Sequence, residues 1–171
     1  MKLQIGSGRV RGKYRHSPWI NVDIGKFDDV NVLGSALALP FATCSIDEIH
    51  CVHVLEHVTR DQYPIMLGEM HRVLAPGGDC YVETPDFHAT LRWALQAFEH
   101  GDIEAVHNWT TSIYGKNEVP GMCHYWGFYE GLLRREFRSY GFNDVKRLVD
   151  KDDMISTHYQ QEPILLVRGT K

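Results

Sequence analysis

Hydrophobic positions repeat along this chain with two periods, one typical of strands and the other typical of helices. Short apolar or alternating runs predict strands at residues 3–5, 19–24, 30–33, 45–52, 80–84, 142–149 and 163–167. Helical spacing predicts helices over residues 63–74 and 128–140, and a further helix after Asp86 in which Leu91, Leu95 and Phe98 share one face. Strands that alternate with helices in this way predict a single α/β domain over residues 1–171.

Two segments of the chain carry no such repeat. Residues 9–18 follow the first strand without helical periodicity, so we expect a loop that leaves one face of the sheet thinly covered. An uncovered face favours self-association, and we therefore expect a homodimer. Residues 101–127 mix aromatic and polar residues without a period, which predicts an irregular lid or acceptor-binding insertion.

The composition is that of an ordinary globular protein, with 43% hydrophobic and 23% charged residues. A net charge of −4 argues against nucleic acid or an anionic membrane as partner. The chain has no apolar run of the roughly 20 residues that a membrane span requires, and its first apolar run is too short for a signal peptide. Its four cysteines show no CxxC spacing, so we expect reduced thiols and a cytoplasmic location.

Small and polar residues collect where the predicted strands end, and in an open α/β sheet ligands bind at that edge. Gly6, Ser7 and Gly8 follow the first strand, where two glycines let the backbone approach a ligand closely. Asp23 closes the second strand about 15 residues later, a spacing that suits the ribose hydroxyls of a nucleoside. His53 follows the fourth strand. The sequence therefore predicts a ligand-binding edge that accepts a nucleoside.

The segment from His53 to His57 also matches H-x-x-E-H, the inverted zinc-peptidase motif. That motif requires both histidines on one helical face, with the glutamate as base and a third protein ligand further along. His53 is predicted at a strand end, so the two histidines need not share a helical face. We therefore expect no zinc hydrolase and no metal.

Further motifs, in order along the chain, carry a resemblance to a known family. They are Ile5-Gly6-Ser7-Gly8, Ile20-Asn21-Val22-Asp23-Ile24, Leu39-Pro40-Phe41, Ser45-Ile46-Asp47-Glu48-Ile49, His53-Val54-Leu55-Glu56-His57, Arg72-Val73-Leu74-Ala75-Pro76-Gly77-Gly78, Thr84-Pro85-Asp86, His124-Tyr125-Trp126-Gly127-Phe128 and Gly141-Phe142. Through them nearly the whole chain resembles class I S-adenosylmethionine-dependent methyltransferases, in particular small bacterial and phage-type methyltransferase domain proteins.

The resemblance implies a Rossmann-like fold with a mostly parallel seven-stranded sheet, its last strand antiparallel, and reduced helix cover after the first strand. It also implies S-adenosylmethionine as cofactor and S-adenosylhomocysteine as product. The implied cofactor contacts lie at the ends of the first four strands: Gly6, Ser7 and Gly8 along the methionine part, Asp23 at the ribose, Ser35 and Ala36 at the adenine with Leu37 as an apolar neighbour, and His53 beside the methionine moiety.

Two positions depart from the family pattern. The family usually has an acid where this chain has Ser35, and a hydroxyl is a weaker partner for the adenine amino group than a carboxylate. The glycine loop is also shortened, with Arg9 where a further glycine often falls. These departures leave an alternative open, in which the protein binds S-adenosylmethionine or a nucleoside without catalysis.

The expected reaction is methyl transfer to a small-molecule acceptor, such as a hydroxyl of a sugar or another metabolite. A hydroxyl acceptor needs a base, and histidine suits that role near neutral pH. We expect His124 as the base, with His57 or Asp86 as alternatives, because His124 falls in the aromatic segment. The expected lining of the acceptor pocket is His88, Tyr114, Tyr125 and Trp126.

A third alternative is methylation of nucleic acid or protein, with the basic residues 9–15 as contact. The fourth strand is not followed by an Asn-Pro-Pro-Tyr or Asp-Pro-Pro-Tyr type motif, as amino-methylating DNA enzymes show. We therefore expect nucleic acid to be no substrate.

Overall fold

A seven-stranded sheet forms the centre of the computed structural model, which describes residues 1–8, 14, 16–116, 121–149 and 163–171. The strands are β1 (Lys2–Ile5), β2 (Trp19–Asp23), β3 (Val32–Leu33), β4 (Ile46–Val52), β5 (Leu74–Pro85), β6 (Asn143–Leu148) and β7 (Ile164–Thr170). They lie in the order β3-β2-β1-β4-β5-β7-β6. Neighbours from β3 to β5 are parallel, whereas β7 is antiparallel to both β5 and β6. The predicted Rossmann-like fold with an antiparallel last strand is confirmed.

Four α-helices connect or flank these strands in the described part of the chain. They are α1 (Tyr63–Val73), α2 (Phe87–Glu99), α3 (Ile103–Tyr114) and α4 (Glu130–Ser139). The sequence predicts α1, α2 and α4, but α3 lies inside the segment predicted to be irregular, so that prediction is wrong for residues 103–114. Asp102 caps α3 by accepting a hydrogen bond from the Ala105 N–H at 3.0 Å. None of the described helices is long and apolar enough to cross a membrane.

One face of the sheet is apolar and belongs to the same buried core as α1 and α4. The strand register shows which residues share this face, in the cross-strand rows Leu3, Ile20, Ile49, Cys80 and Ile5, Val22, Cys51, Val82. From the helices, the fully buried Met66, Met70 and Phe137 complete the core. The burial of this face fixes the register, because a shift by one residue would turn these side chains away from the helices.

The opposite face of the sheet is polar. Its central cross-strand row is Gln4, Asn21, His50 and Tyr81. The Tyr14 hydroxyl covers part of this row and lies 2.8 Å from His50 Nδ1. The described residues between β1 and β3 contain no α-helix, while residues 9–13 and 15 of the predicted loop lie outside the described part. This face therefore does not offer the apolar surface on which the homodimer prediction depended.

Strand β5 is longer than predicted, because it begins where α1 ends. Leu74 is the last residue paired before an irregularity, and the ladder with β4 resumes at Asp79. The four residues between them bulge out of the ladder. Their side chains do not alternate between the two faces of the sheet, so the sequence shows no period of two where the strand begins.

Candidate active site

The candidate site lies at the carboxyl ends of β1 to β5, where the strand order reverses. From β1 the chain continues to β2 and β3 on one side of the sheet, and β4 and β5 lie on the other side. Ligands of open α/β sheets bind at such a switch point. Gly6 directly follows β1 and His53 directly follows β4, so both lie at this edge.

The glycine loop after β1 is held in a conformation that requires glycine. Gly6 and Gly8 have φ values of +65° and +50°, in the left-handed region. A Cβ on Gly6 would lie 2.1 Å from Val54 Cγ2, whereas a Cβ on Gly8 would meet none of the described atoms within 4 Å. The Gly6 and Ser7 N–H groups both donate to the Val22 carbonyl, at 2.9 and 3.2 Å. Gly6 therefore serves packing, and Gly8 leaves open space beside the backbone.

Asp23, the last residue of β2, connects this loop to the next one. Its Oδ2 accepts the Gly8 N–H at 2.7 Å, and its Oδ1 accepts the Gly25 N–H at 2.7 Å. A carboxylate has about four lone-pair positions, so two remain for hydroxyl donors. Asp23 can thus orient the glycine loop and bind a ribose at the same time.

The turn after β3 carries Ser35, Ala36 and Leu37. The Leu37 N–H donates to Ser35 Oγ at 3.1 Å, so the hydroxyl oxygen takes part in the turn itself. The half-buried Ala36 and Leu37 pack against the core. The acid usual at the position of Ser35 would contribute a carboxylate here, and this chain contributes a hydroxyl.

An ion pair on α1 fixes the chain immediately after this turn. Glu69 Oε2 accepts the Leu39 N–H at 2.7 Å, and Arg72 donates to the Leu39 and Phe41 carbonyls, each at 2.9 Å. Arg72 Nε also lies 2.6 Å from Glu69 Oε1. The hydrogen bond from Arg72 holds the pKa of Glu69 below its ordinary value.

His53 lies between two buried carboxyl groups at the switch point. Its Nδ1 is 3.2 Å from Glu56 Oε1, and its Nε2 is 3.4 Å from Glu83 Oε1. Burial opposes a charge on His53, but the hydrogen bonds to Glu56 and Glu83 outweigh it and raise the pKa of His53 to about 9. Burial likewise opposes a charge on Glu56, yet the hydrogen bond from His53 lowers the pKa of Glu56. The two carboxyl groups therefore favour the protonated form of His53.

His57 and His124 lie beside this group, with ring centroids 4.9 Å apart. His57 Nδ1 is 3.0 Å from the Cys123 carbonyl oxygen, and His124 Nδ1 is 2.8 Å from that of Ser112. A carbonyl oxygen only accepts, so each Nδ1 carries a proton and, in the neutral ring, the lone pair is on Nε2. One ligand atom each from Glu56, His57 and His124 lie within 4.8 Å of one another.

A small cavity of about 10 Å³ opens beside this cluster. Two buried polar atoms at its wall, Ser112 Oγ and Trp126 Nε1, have no hydrogen-bond partner among the described residues. Glu56, Thr84, Thr90 and His124 complete its polar lining. A space of this size suits one water molecule.

Asp86 is engaged in structure rather than exposed to a ligand. Its Oδ1 accepts the Ala89 N–H at 3.1 Å and caps α2, and its Oδ2 lies 3.1 Å from Arg147 Nη2. The carboxylate is also buried. Both oxygens thus have strong partners, and a role for Asp86 as base stays a prediction that these contacts disfavour.

The aromatic residues predicted for the acceptor pocket divide into exposed and packed ones. Tyr114 and Tyr125 are 60% and 57% exposed. Trp126 is half-buried and stacks on Tyr63 with ring centroids 6.4 Å apart. His88 is exposed in the first turn of α2. The structure therefore brings together His57, His124 and Trp126, and leaves the remaining three at the surface.

The segment from Gly121 to Phe128 reaches the ends of β4 and β5. The Tyr125 N–H donates to the Glu56 carbonyl at 2.8 Å, and the Phe87 N–H donates to the Phe128 carbonyl at 2.9 Å. These bonds bring the second half of residues 101–127 beside the switch point.

Comparison with known proteins identifies the class of enzyme to which this ligand-binding edge belongs. A family model described as a methyltransferase domain matches residues 7–82, which include Asp23, Ser35 and His53. Over residues 7–82 the chain carries a class I S-adenosylmethionine-dependent methyltransferase domain. The predicted reaction, methyl transfer from S-adenosylmethionine, is confirmed, and so is the cofactor. No curated protein matches the methyltransferase in sequence.

Solved structures agree with this methyltransferase in fold over 99% of its chain. A Thermotoga maritima S-adenosylmethionine-dependent methyltransferase, a possible histamine N-methyltransferase, is 23% identical, with a TM-score of 0.63 over 81% of its own chain. One from Archaeoglobus fulgidus is 14% identical, with a TM-score of 0.63 over 85%. The Burkholderia thailandensis 1,6-didemethyltoxoflavin-N1-methyltransferase, solved with its substrate and S-adenosylhomocysteine, is 16% identical, with a TM-score of 0.62 over 70%.

The described residues of the methyltransferase fit the cofactor at two points. Open space beside Gly8 permits close approach of a ligand to the backbone, and Asp23 retains acceptor capacity for the ribose hydroxyls. The individual contacts assigned from the sequence stay predictions.

Sequence reasoning missed four polar residues of the site, which are Glu56, Glu83, Thr84 and Ser112. Glu83 carries a signal, because it is a charged residue directly after the apolar Val82 in a strand in the middle of the sheet, and it is fully buried. Glu56 is part of the H-x-x-E-H segment, but its partner in the structure is His53 and its neighbours are His57 and His124. Ser112 could not be predicted from the sequence, because it lies in α3, within the mixed aromatic and polar segment that showed no helical period.

Proposed function

We propose that this methyltransferase transfers the methyl group to a small-molecule acceptor bound between the switch point and residues 101–127. One observation carries the proposal: the predicted cofactor residues lie at the ends of β1 to β4, and the aromatic segment from Gly121 to Phe128 is hydrogen-bonded beside them. The net charge of −4 supports a small acceptor over nucleic acid. Two of the similar structures are named for small-molecule acceptors, which also favours this class.

S-adenosylmethionine supplies a methyl group that is already activated, so the residues of the chain need only orient the acceptor, exclude water and remove a proton. Asp23 binds the ribose, and the loop from Gly6 to Gly8 follows the methionine part. His124 accepts the proton of an acceptor hydroxyl at Nε2, because its Nδ1 is held by the Ser112 carbonyl. Trp126 forms one wall of the pocket.

The acceptor approaches from the exposed side of the segment. The cavity of about 10 Å³ is too small for it, whereas Tyr114 and Tyr125 expose more than half of their surface. Aromatic rings of this kind contact a sugar or another metabolite through their faces. His88 contributes a polar contact at the same surface.

The test combines cofactor titration with a screen of acceptors and a labelled methyl donor. We expect S-adenosylmethionine and S-adenosylhomocysteine to bind the wild type and to lose affinity by more than about tenfold in Asp23→Ala, since a charged hydrogen-bond partner contributes about 1.5–3 kcal/mol. We expect His124→Ala to bind the cofactor as the wild type does and to lose methyl transfer. Trp126→Ala should raise the KM for the acceptor.

The alternative, a module that binds the cofactor without catalysis, is supported by Ser35 in place of an acid. It predicts cofactor binding with no methyl transfer to any acceptor in the screen. Folded protein that binds neither ligand would contradict both hypotheses. A Trp126→Ala variant with unchanged KM and kcat would remove Trp126 from the pocket.

A further inference from the structure

We propose that Glu56, His57 and His124 form a binding site for one divalent transition-metal ion, with zinc as the best fit. One ligand atom of each residue lies within 4.8 Å of the other two. Two imidazoles, one carboxylate and an open fourth position form a donor set typical of catalytic zinc sites. Imidazole donors also favour zinc, cobalt or nickel over magnesium and calcium, which prefer oxygen ligands.

The separation of these atoms is close to what an ion requires. With bonds of about 2.1 Å in tetrahedral geometry, two ligand atoms on one zinc ion are about 3.4 Å apart. The three residues must therefore approach one another by up to about 1.4 Å, which small torsional shifts of the two half-buried imidazole side chains can supply. His57 and His124 are only half-buried, so neither ring is enclosed by the core.

Hydrogen bonds to the backbone already orient both histidines as metal ligands. Each Nδ1–H donates to a carbonyl, of Cys123 for His57 and of Ser112 for His124, at 3.0 and 2.8 Å. Metal-ligating histidines almost always donate their second ring N–H in this way, which fixes the tautomer and directs the lone pair of the other nitrogen. The bond from His57 to Cys123 also connects the first histidine to the residue before the second.

The carboxylate of Glu56 is held in place by two other side chains. Thr84 Oγ1 donates to Oε2 at 3.1 Å, and His53 Nδ1 lies 3.2 Å from Oε1. Each oxygen retains a lone pair for an ion. Supporting hydrogen bonds of this kind are typical of ligating carboxylates.

The adjacent cavity supplies a place for the fourth ligand. Its volume of about 10 Å³ suits one water molecule. Ser112 is 7% exposed, and its Oγ has no hydrogen-bond partner among the described residues, nor has Trp126 Nε1. Both atoms line this cavity. A metal-bound water would give these buried groups the partner that such groups normally have.

The catalytic role of the ion rests on the proposed function, whereas the binding of the ion to Glu56, His57 and His124 does not. An acceptor hydroxyl that approaches from the exposed side and coordinates the ion as a fifth ligand loses its proton to solvent water more readily. Its oxygen then forms a bond to the methyl carbon, and the carbon–sulfur bond breaks with its electron pair on sulfur. In the metal-loaded protein His124 holds the ion and does not itself take the proton.

Isothermal titration of the tag-free protein with ZnCl₂ tests the site, with the visible absorption of bound Co²⁺ as a second readout. We expect one equivalent in the wild type and a loss of affinity of about 100-fold or more in His57→Ala and His124→Ala, because even the loss of a supporting partner costs about 10–100-fold. His107→Ala is the matched control, since His107 is exposed on α3 outside the cluster. MgCl₂ should not bind.

Circular dichroism establishes that each variant is folded, and His57→Gln and His124→Gln replace any alanine variant that is not. Absence of a stoichiometric site in the wild type, or equal affinity in the histidine variants, overturns the inference. The cofactor is titrated separately, with Asp23→Ala as reference. Zinc binding without cofactor binding would contradict the proposed function alone. Methyl transfer by protein that binds no zinc would contradict the role proposed for the ion and would leave the proposed function intact.

Discussion

At the scale of single residues, Gly6 and Gly8 have similar backbone conformations and different surroundings. Gly6→Ala places a Cβ 2.1 Å from Val54 Cγ2, and we expect it to lower the free energy of unfolding by about 2–4 kcal/mol through overpacking and left-handed strain. Gly8→Ala meets no described atom, so it should cost only about 1–2 kcal/mol of backbone strain. Urea denaturation measures both.

The Gly6→Ala and Gly8→Ala variants also distinguish a glycine needed for packing from one needed for close approach of the cofactor. We expect Gly8→Ala to remain folded and to weaken S-adenosylhomocysteine binding, because its methyl group occupies the open space beside the loop. Unchanged affinity in Gly8→Ala would show that the cofactor does not pass this backbone. Equal stability of the two variants would contradict the packing role of Gly6.

The residues that the sequence could predict are those that a local pattern determines. The spacing from the glycine loop to Asp23 predicted that both belong to one ligand-binding edge, and the structure joins them directly, because the Gly8 N–H donates to Asp23 Oδ2 at 2.7 Å. Ser112 and Cys123 have no such pattern, because they act through backbone carbonyls that accept from His124 and His57. Any residue type can provide a carbonyl, so side-chain identity carries no information about that role.

At the scale of elements, α1 and the turn after β3 are joined by Glu69 and Arg72. Glu69→Gln removes the ionic part of this connection, and we expect it to lower the free energy of unfolding at neutral pH by about 1–2 kcal/mol. The pKa of Glu69 is lowered chiefly by its hydrogen bond from Arg72, so the ionised form stabilises the folded state. This contribution is complete above the ordinary glutamate pKa of about 4.3 and is lost as pH falls through the lowered folded value.

Urea denaturation from pH 7 to pH 3 tests this connection. The difference in stability between the wild type and Glu69→Gln should shrink toward zero at the acidic end. Glu99→Gln, at an exposed position of α2, serves as the matched control and should follow the wild type throughout. A difference that stays constant with pH would show that the ionised carboxylate of Glu69 adds nothing to the fold.

Elements whose apolar residues repeat with a regular period were predictable, and α3 was not. Strands β1, β4 and β5 and helix α1 pack on the core, which imposes a period on their sequences. In α3 only Ser112 is buried, so the helix packs on α2 without an apolar stripe that reaches the core. Its start at Asp102 was the available signal, because aspartate is a preferred N-cap.

At the scale of the whole molecule, six of the fifteen large hydrophobic side chains that are exposed in the described part of the chain lie on α2 and α3. Leu91, Leu95 and Phe98, which the sequence places on one helical face, are 44%, 58% and 72% exposed, and Ile103 on α3 is 83% exposed. The uncovered face of the sheet is polar instead. The homodimer therefore stays a prediction, and the surface that suits it is the α2–α3 hairpin, because exposed apolar patches mark interaction sites.

Lysine substitutions test whether a second copy covers this hairpin. We expect the wild type to sediment as a dimer and Leu95→Lys/Phe98→Lys as a monomer, because burying two ammonium groups in an apolar interface without partners is costly. The free energy of unfolding of the monomer should change by no more than about 0.5 kcal/mol, since both positions are exposed. Ile65→Lys, at a position of α1 that is 53% exposed, is the matched control and should leave the dimer intact. A wild type that remains monomeric at high concentration, or a dimer that survives the double substitution, would contradict self-association through α2 and α3.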